Sequence, residues 1–121
     1  SSSAASDVYK RQDKLILIGH SNGGDMTMLF ATKYPHLINK AISMDHRRMI
    51  MPRTEKPRLY TLRGCDYDAD AGVLPTKQEQ EQFHMKVVKL DGITHSNMGE
   101  NGTEEQHRLI NQSIYGFLTQ E

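Results

Sequence analysis

A serine flanked by glycines is the first candidate for chemistry in this sequence. The segment GHSNG at residues 19–23 fits the pattern G-x-S-x-G, and it directly follows the apolar run LILI at 15–18. In this pattern the serine occupies a strained turn between a strand and a helix, where side chains two residues away would collide. The spacing therefore predicts that Ser21 is a nucleophile at a strand–helix junction, with glycine required at both 19 and 23.

A serine nucleophile needs a base, and the base needs an acid that orients it. His95 lies five residues beyond the fourth predicted strand, and Asp66 lies just beyond the third. Loops at the carboxyl ends of parallel strands are where both groups are expected, in the chain order Ser, Asp, His. We therefore predict a catalytic triad of Ser21, Asp66 and His95. Asp70 stands in the same loop as Asp66, and it remains the alternative acid.

Strands alternate with helices along the chain and would position these residues. Period and composition predict strands at 15–18, 41–44, 58–63 and 86–90, and a helix at 22–34. Capping boxes at Thr76 and Thr103 start two later helices, and the last has an apolar stripe from Ile110 to Leu118. This alternation predicts an α/β fold with a mostly parallel sheet and flanking helices. The unbroken apolar run at 15–18 predicts a strand covered on both faces.

Composition excludes several function classes. The 121 residues suffice for one domain, and 15 basic residues balance 15 acidic ones, so nothing favours nucleic acid as a partner. No apolar run approaches the roughly 20 residues that span a bilayer. Cys65 is the single cysteine, which excludes an internal disulfide and is compatible with the cytosol or the outside of the cell. We expect no cofactor, and a small acyl compound as the partner.

The spacing of three aspartates after the third strand raises a calcium loop as a rival interpretation. An EF-hand loop that began at Asp66 would need glycine at its sixth position and glutamate at its twelfth. Those positions hold Ala71 and Lys77, and a strand precedes the loop, so we predict no metal site. His20 is expected to pack beside the serine. The remaining histidines are predicted to lie on the surface, and three arginines of the 46–57 connector face either solvent or an anionic substrate; they are Arg47, Arg48 and Arg53.

Residues 14 onward resemble the α/β-hydrolase superfamily in three segments. LILIGHSNGG is similar to its fifth strand and nucleophile elbow, RLYTLRGCDYDADAGVLP to its seventh strand and acid loop, and KVVKLDGITHSNM to its eighth strand and histidine loop. The resemblance implies an acyl-enzyme mechanism and a backbone oxyanion donor at Asn22. It also implies that the first four strands, and the loop with the second oxyanion donor, are missing.

The first twelve residues, SSSAASDVYKRQ, resemble a translated sequencing adapter and are expected to be a non-native, disordered tail. Residues 13–121 would then be the C-terminal part of a single α/β-hydrolase domain. We expect the parent to be a serine hydrolase of esters or similar acyl bonds, and this chain to be incomplete and inactive. The alternative is a protein of the same fold that binds a ligand or partner without catalysis.

Overall fold

A computed structural model of the protein describes residues 15–120, so the predicted tail at 1–12 lies outside the described residues. These described residues form four strands and three α-helices, and a helix follows every strand except the second. The strands are β1 (Leu15–His20), β2 (Ile38–Met44), β3 (Arg58–Arg63) and β4 (Lys86–Lys89); the helices are α1 (Asn22–Lys33), α2 (Lys77–Phe83) and α3 (Glu104–Thr119). Short 3-10 turns occupy Pro35–Leu37 and Ser96–Met98. The predicted strands and the elbow helix are present, with ends that differ by up to three residues.

The four strands make one sheet in the order β1-β2-β3-β4, and every pair is parallel. Because every pair is parallel, all four carboxyl ends lie along one edge of the sheet. Helices α1 and α2 provide two of the crossovers, whereas residues 45–57 link β2 to β3 without an α-helix. The fold class is therefore α/β with an all-parallel sheet.

Side chains alternate between the two faces of the sheet and form two separate cores. On one face Met28 and Ala31 of α1 pack against Ala41 and Leu59. On the other face α3 covers the sheet, where the Phe117 ring stacks on Tyr60 with centroids 4.6 Å apart. Helices on both faces leave β2 and β3 nearly inaccessible to water.

Strand β1 differs from the prediction, because only one of its faces is covered within the described residues. Leu17 packs against the core under α1, but Ile16 and Ile18 on the opposite face are 48% and 44% exposed. The reason is the position of α3, which packs over residues of β2 and β3. Within residues 15–120 no helix has the length and apolar character needed to cross a membrane.

Both predicted capping boxes are present. Thr76 Oγ1 accepts a hydrogen bond from Glu79 N, and Thr103 Oγ1 accepts one from Gln106 N, each at 3.1 Å. The last helix is held at its other end by Lys40, a buried side chain of β2 whose ammonium group donates to the carbonyls of Phe117 and Leu118. These contacts satisfy polar groups that helix ends leave unpaired, which fixes α3 against the sheet.

Candidate active site

Ser21 lies in the turn between β1 and α1 with a backbone conformation that few serines adopt. Its φ of 58° and ψ of −119° place it outside the favourable regions for a residue with a side chain. The amide of Ser21 donates to the carbonyl of Met44 at 2.9 Å, so the turn is tied to the end of β2. Such strain persists only where surrounding contacts impose it, and it is typical of a functional position.

Glycine permits this turn at position 19, but position 23 has no such requirement. A Cβ on Gly19 would lie 2.2 Å from the carbonyl oxygen of Gly23 and 2.5 Å from Thr27 Oγ1, whereas a Cβ on Gly23 would meet nothing within 4 Å. The second close approach occurs at Gly24, where a Cβ would lie 2.9 Å from that of His46. The prediction of an essential glycine is therefore right for 19 and wrong for 23.

His95 lies in the loop after β4 with its ring directed at Ser21, as predicted. Its Nε2 is 3.0 Å from Ser21 Oγ, within the range expected for a nucleophile and its base. The Tyr67 ring packs on the imidazole with centroids 3.8 Å apart. The His20 ring also contacts that of His95, with centroids 4.9 Å apart, and His20 Nε2 donates to the His95 carbonyl at 2.9 Å, so both ring and main chain of His95 are held.

The carboxylate at the second ring nitrogen belongs to Asp45, which corrects the predicted position of Asp66. Asp45 Oδ2 accepts from His95 Nδ1 at 2.8 Å, and the Asp45 side chain is completely buried. Asp66 instead accepts from the main-chain amide of His95 at 2.8 Å, so it anchors the loop rather than the ring. Asp70, the alternative acid, is exposed and pairs with Arg47 at 3.1 Å.

The position of Asp45 explains how it reaches the histidine. It directly follows β2, the strand between β1 and β3, and it has a φ of 60°, a left-handed conformation that aspartate tolerates better than most residues. Its amide donates to the carbonyl of Leu62 at 2.8 Å, which turns the chain across the end of β3. An aspartate at the end of a parallel strand is a usable signal, but the strand pattern at 41–44 is weak, and the acidic loop after β3 offers three other aspartates.

Two groups at the end of β3, the Gly64 amide and the Arg63 guanidinium, contact the carboxylate of Asp45. Asp45 Oδ1 accepts from the amide of Gly64 at 2.8 Å and lies 3.6 Å from Nη2 of Arg63, a residue that is also buried. Burial lowers the pKa of the Arg63 guanidinium, and the charge of Asp45 opposes that change. Arg63 stays cationic, because an arginine guanidinium is not deprotonated in proteins. Asp45 is thus a buried carboxylate with one hydrogen-bond donor at each oxygen and a nearby guanidinium.

His46 is wholly buried, although the sequence predicts a surface position. Its Nδ1 lies 2.5 Å from Ser43 Oγ, while its Nε2 is buried without a hydrogen-bond partner among the described residues. Burial, with the nearby charge of Arg63, lowers the pKa of His46 to about 4. His46 is therefore a neutral core residue.

The turn after β1 also positions a backbone donor and an apolar surface. Asn22 is the first residue of α1, so its amide has no partner within the helix and lies at the positive end of the helix dipole. A shallow cavity of about 360 Å³ begins beside it, with Met26, Leu29 and Met49 in its wall.

The connector arginines differ in their roles. Arg53 donates to four main-chain carbonyls and belongs to the scaffold, while Arg48 lies on the cavity wall. Arg47 pairs with Asp70 and lies 5.9 Å from the centre of the Tyr67 ring. Among residues 15–120 no group of three or more His, Cys, Asp or Glu side chains is arranged to hold a metal ion.

Main-chain hydrogen bonds continue beyond the strand ends and join the loops of the site to one another. The loop after β1 is bonded to β2 through Ser21, and the loop after β2 is bonded to β3 through Asp45. The next loop continues the series, since Cys65 N donates to the carbonyl of Ile93 at 2.8 Å. Each loop is thereby fixed to the next strand or loop along the sheet edge.

Comparison of the chain with protein-family models, with curated proteins and with solved structures finds no significant match. The functional argument therefore proceeds from the geometry of the described residues.

Proposed function

We propose that the protein is a serine hydrolase of the α/β-hydrolase type, which cleaves an ester or similar acyl bond through an acyl-enzyme intermediate. One observation carries this proposal. A continuous hydrogen-bonded relay runs from Asp45 through His95 to Ser21, with heavy-atom distances of 2.8 and 3.0 Å, and it ends at a serine in a strained strand–helix turn. This is the arrangement of acid, base and nucleophile that acyl transfer requires.

The relay fixes the tautomer of the histidine. Ionised Asp45 can only accept a hydrogen bond, so the proton of neutral His95 resides on Nδ1. Nε2 is then left as the acceptor for the hydroxyl of Ser21. The resting state is therefore ready for Ser21 to lose its proton to His95 as its oxygen attacks a carbonyl carbon.

In the proposed acylation step the Ser21 oxygen bonds to the substrate carbonyl and its proton moves to Nε2 of His95. The oxyanion faces the amide of Asn22, while Asp45 stabilises the imidazolium. When the tetrahedral species collapses, the alcohol leaves with the proton from His95. Water then repeats the sequence on the acyl-enzyme, releasing a carboxylic acid and restoring Ser21. The cavity beside Asn22, with its methionine and leucine walls, suits an apolar acyl or alcohol group.

A protein that only binds a ligand or partner would not need the hydrogen-bonded relay from Asp45 to Ser21. Covalent labelling distinguishes the two, because a fluorophosphonate reacts with an activated serine in a single event and needs no turnover. We expect intact-mass spectrometry to find one adduct on the chain, mapped to Ser21 and absent in Ser21→Ala. A chain that folds but stays unlabelled at millimolar probe would refute the hydrolase proposal.

A matched pair of variants tests the assignment of the acid. Asp45→Asn keeps the shape of the side chain but favours the wrong tautomer of His95, and in serine triads this change costs on the order of 10⁴-fold. Asp66→Asn retains an oxygen that can accept from the amide of His95, so its labelling rate is expected within about tenfold of wild type. The reverse ranking would assign the acid to Asp66.

A further inference from the structure

Arg63, the last residue of β3, has a guanidinium held by three groups. Nη2 donates to the carbonyl of His46 at 2.7 Å, and Nη1 donates to Thr61 Oγ1 at 3.2 Å. The third neighbour is the carboxylate of Asp45, at an ion-pair distance of 3.6 Å. Only 6% of the Arg63 side chain is exposed, so these groups rather than water surround the guanidinium. Its position is therefore fixed relative to the acid of the relay.

The charges around His95 determine when its ring takes up a proton. The titratable or charged groups that face its ring or main chain are Asp45, Asp66, His20 and Tyr67. Two arginines lie behind these groups. Arg63 contacts Asp45 and also interacts with Asp25 and Asp68, and Arg47 is paired with Asp70 and lies near the Tyr67 ring. Of the two arginines, Arg63 is the one in contact with Asp45. Asp45 and Arg63 thus form a buried ion pair next to the imidazole of His95.

Without Arg63, no guanidinium would compensate the negative charge of Asp45. A buried carboxylate is strongly destabilised unless a cation compensates it. The remaining cation in contact with Asp45 would be the imidazolium of His95, so the ring would hold its proton to higher pH. A protonated ring cannot accept the proton of Ser21, and the relay would be idle at neutral pH.

We propose that Arg63 is a positioning residue of the relay, which compensates the charge of Asp45 at rest and so leaves His95 free to act as a base. This inference rests on the proposed function for its consequence in catalysis, but the charge effect itself is measurable without turnover. Arg63 touches neither the ring nor the serine in this arrangement and acts entirely through Asp45.

The test is the pH titration of the His95 Cε1 proton by NMR, assigned from its loss in His95→Gln. We expect Arg63→Gln to raise the midpoint by about one to two pH units, because a charge several ångströms away is lost from a partly screened site. Arg63→Lys keeps the charge and is expected to stay within about half a unit of wild type. Arg53→Gln is the matched control, since that arginine bonds main-chain carbonyls away from Asp45, and no change is expected.

A purely structural Arg63 would lower stability and leave the midpoint in place. An unmoved midpoint in folded Arg63→Gln, with normal labelling of Ser21, would overturn the role of Arg63 and leave the hydrolase proposal intact. If folded wild type is not labelled at Ser21, the hydrolase proposal is overturned instead, whatever the midpoint of His95 shows. If Arg63→Gln does not fold, the comparison moves to Asp45→Asn with and without Arg63→Gln, where no buried carboxylate is left unpaired. Because Arg63 acts through the charge of Asp45, its removal is expected to leave the midpoint within about half a unit there, and a shift of one to two units would overturn the inference.

Discussion

Replacing Gly19 with alanine should damage both the stability of the fold and the reactivity of Ser21. The new methyl group would lie 2.2 Å from the carbonyl oxygen of Gly23 and 2.4 Å from its carbonyl carbon. Both are main-chain atoms of the first turn of α1, so no side-chain rotation can relieve the contact. The strand and the helix must therefore separate by about 0.8 Å to reach the 3.0 Å below which real Cβ contacts are essentially never found.

The size of the effect follows from that displacement. Overpacking a well-packed site typically costs 1–3 kcal/mol, and a main-chain clash belongs at the upper end, so we expect a loss of about 3 kcal/mol. The same shift moves Ser21 relative to His95, and a misplacement of about 1 Å can cost on the order of 100-fold in rate. Gly19→Ala is thus expected to lose stability and labelling rate together.

The assay is urea unfolding followed by fluorophosphonate labelling, with Gly23→Ala as the matched control. That substitution adds the same methyl group four residues away, where it meets nothing within 4 Å. Because alanine is a better helix former than glycine, Gly23→Ala should gain up to about 1 kcal/mol and keep its labelling rate. Equal behaviour of the two variants would refute the argument that the turn is closed by backbone contact at Gly19.

Two further predictions concern pH and solubility. In the folded chain His46 has a pKa of about 4, whereas in the unfolded chain it takes up a proton near pH 6.5, so the free energy of unfolding should fall by up to about 3 kcal/mol as the pH drops from 6.5 to 4. In His46→Asn the urea midpoint should fall less over that interval, and an equal fall in both proteins would contradict the prediction. The exposed face of β1 should promote self-association, so Ile16→Lys with Ile18→Lys should shift size-exclusion elution toward monomer, and no shift would count against that surface.

The sequence predicted Ser21 and His95 because strong local signals surround both. An apolar run, a glycine-bounded serine and a following helix fix the turn of Ser21, and the end of β4 fixes the loop of His95. The two threonine capping boxes are equally local, and both were found. Where three or four consecutive residues determine a conformation, pattern is sufficient.

The sequence did not predict Asp45, Arg63 or His46, because their roles depend on neighbours far along the chain. Asp45 contacts His95, which lies 50 residues further along the chain. The three aspartates after β3 fit the expected chain order of serine, aspartate and histidine equally well. His46 and Arg63 look like surface residues in any short window, yet both are buried beneath the strand ends. Burial of a polar residue is a property of the assembled sheet, and no local period encodes it.

The main-chain bonds that join the loops beyond the strand ends also determine how the site can open. The amides of Ser21, Asp45 and Cys65 donate to the next strand or loop along the edge, so none of these loops can swing out without breaking a bond that continues the sheet. Their exchange with deuterium should therefore follow the opening of the strands rather than the fast opening of surface loops. The edge that carries the proposed site is therefore held in place by the sheet itself, and its loops are expected to keep their arrangement for as long as the strands stay paired.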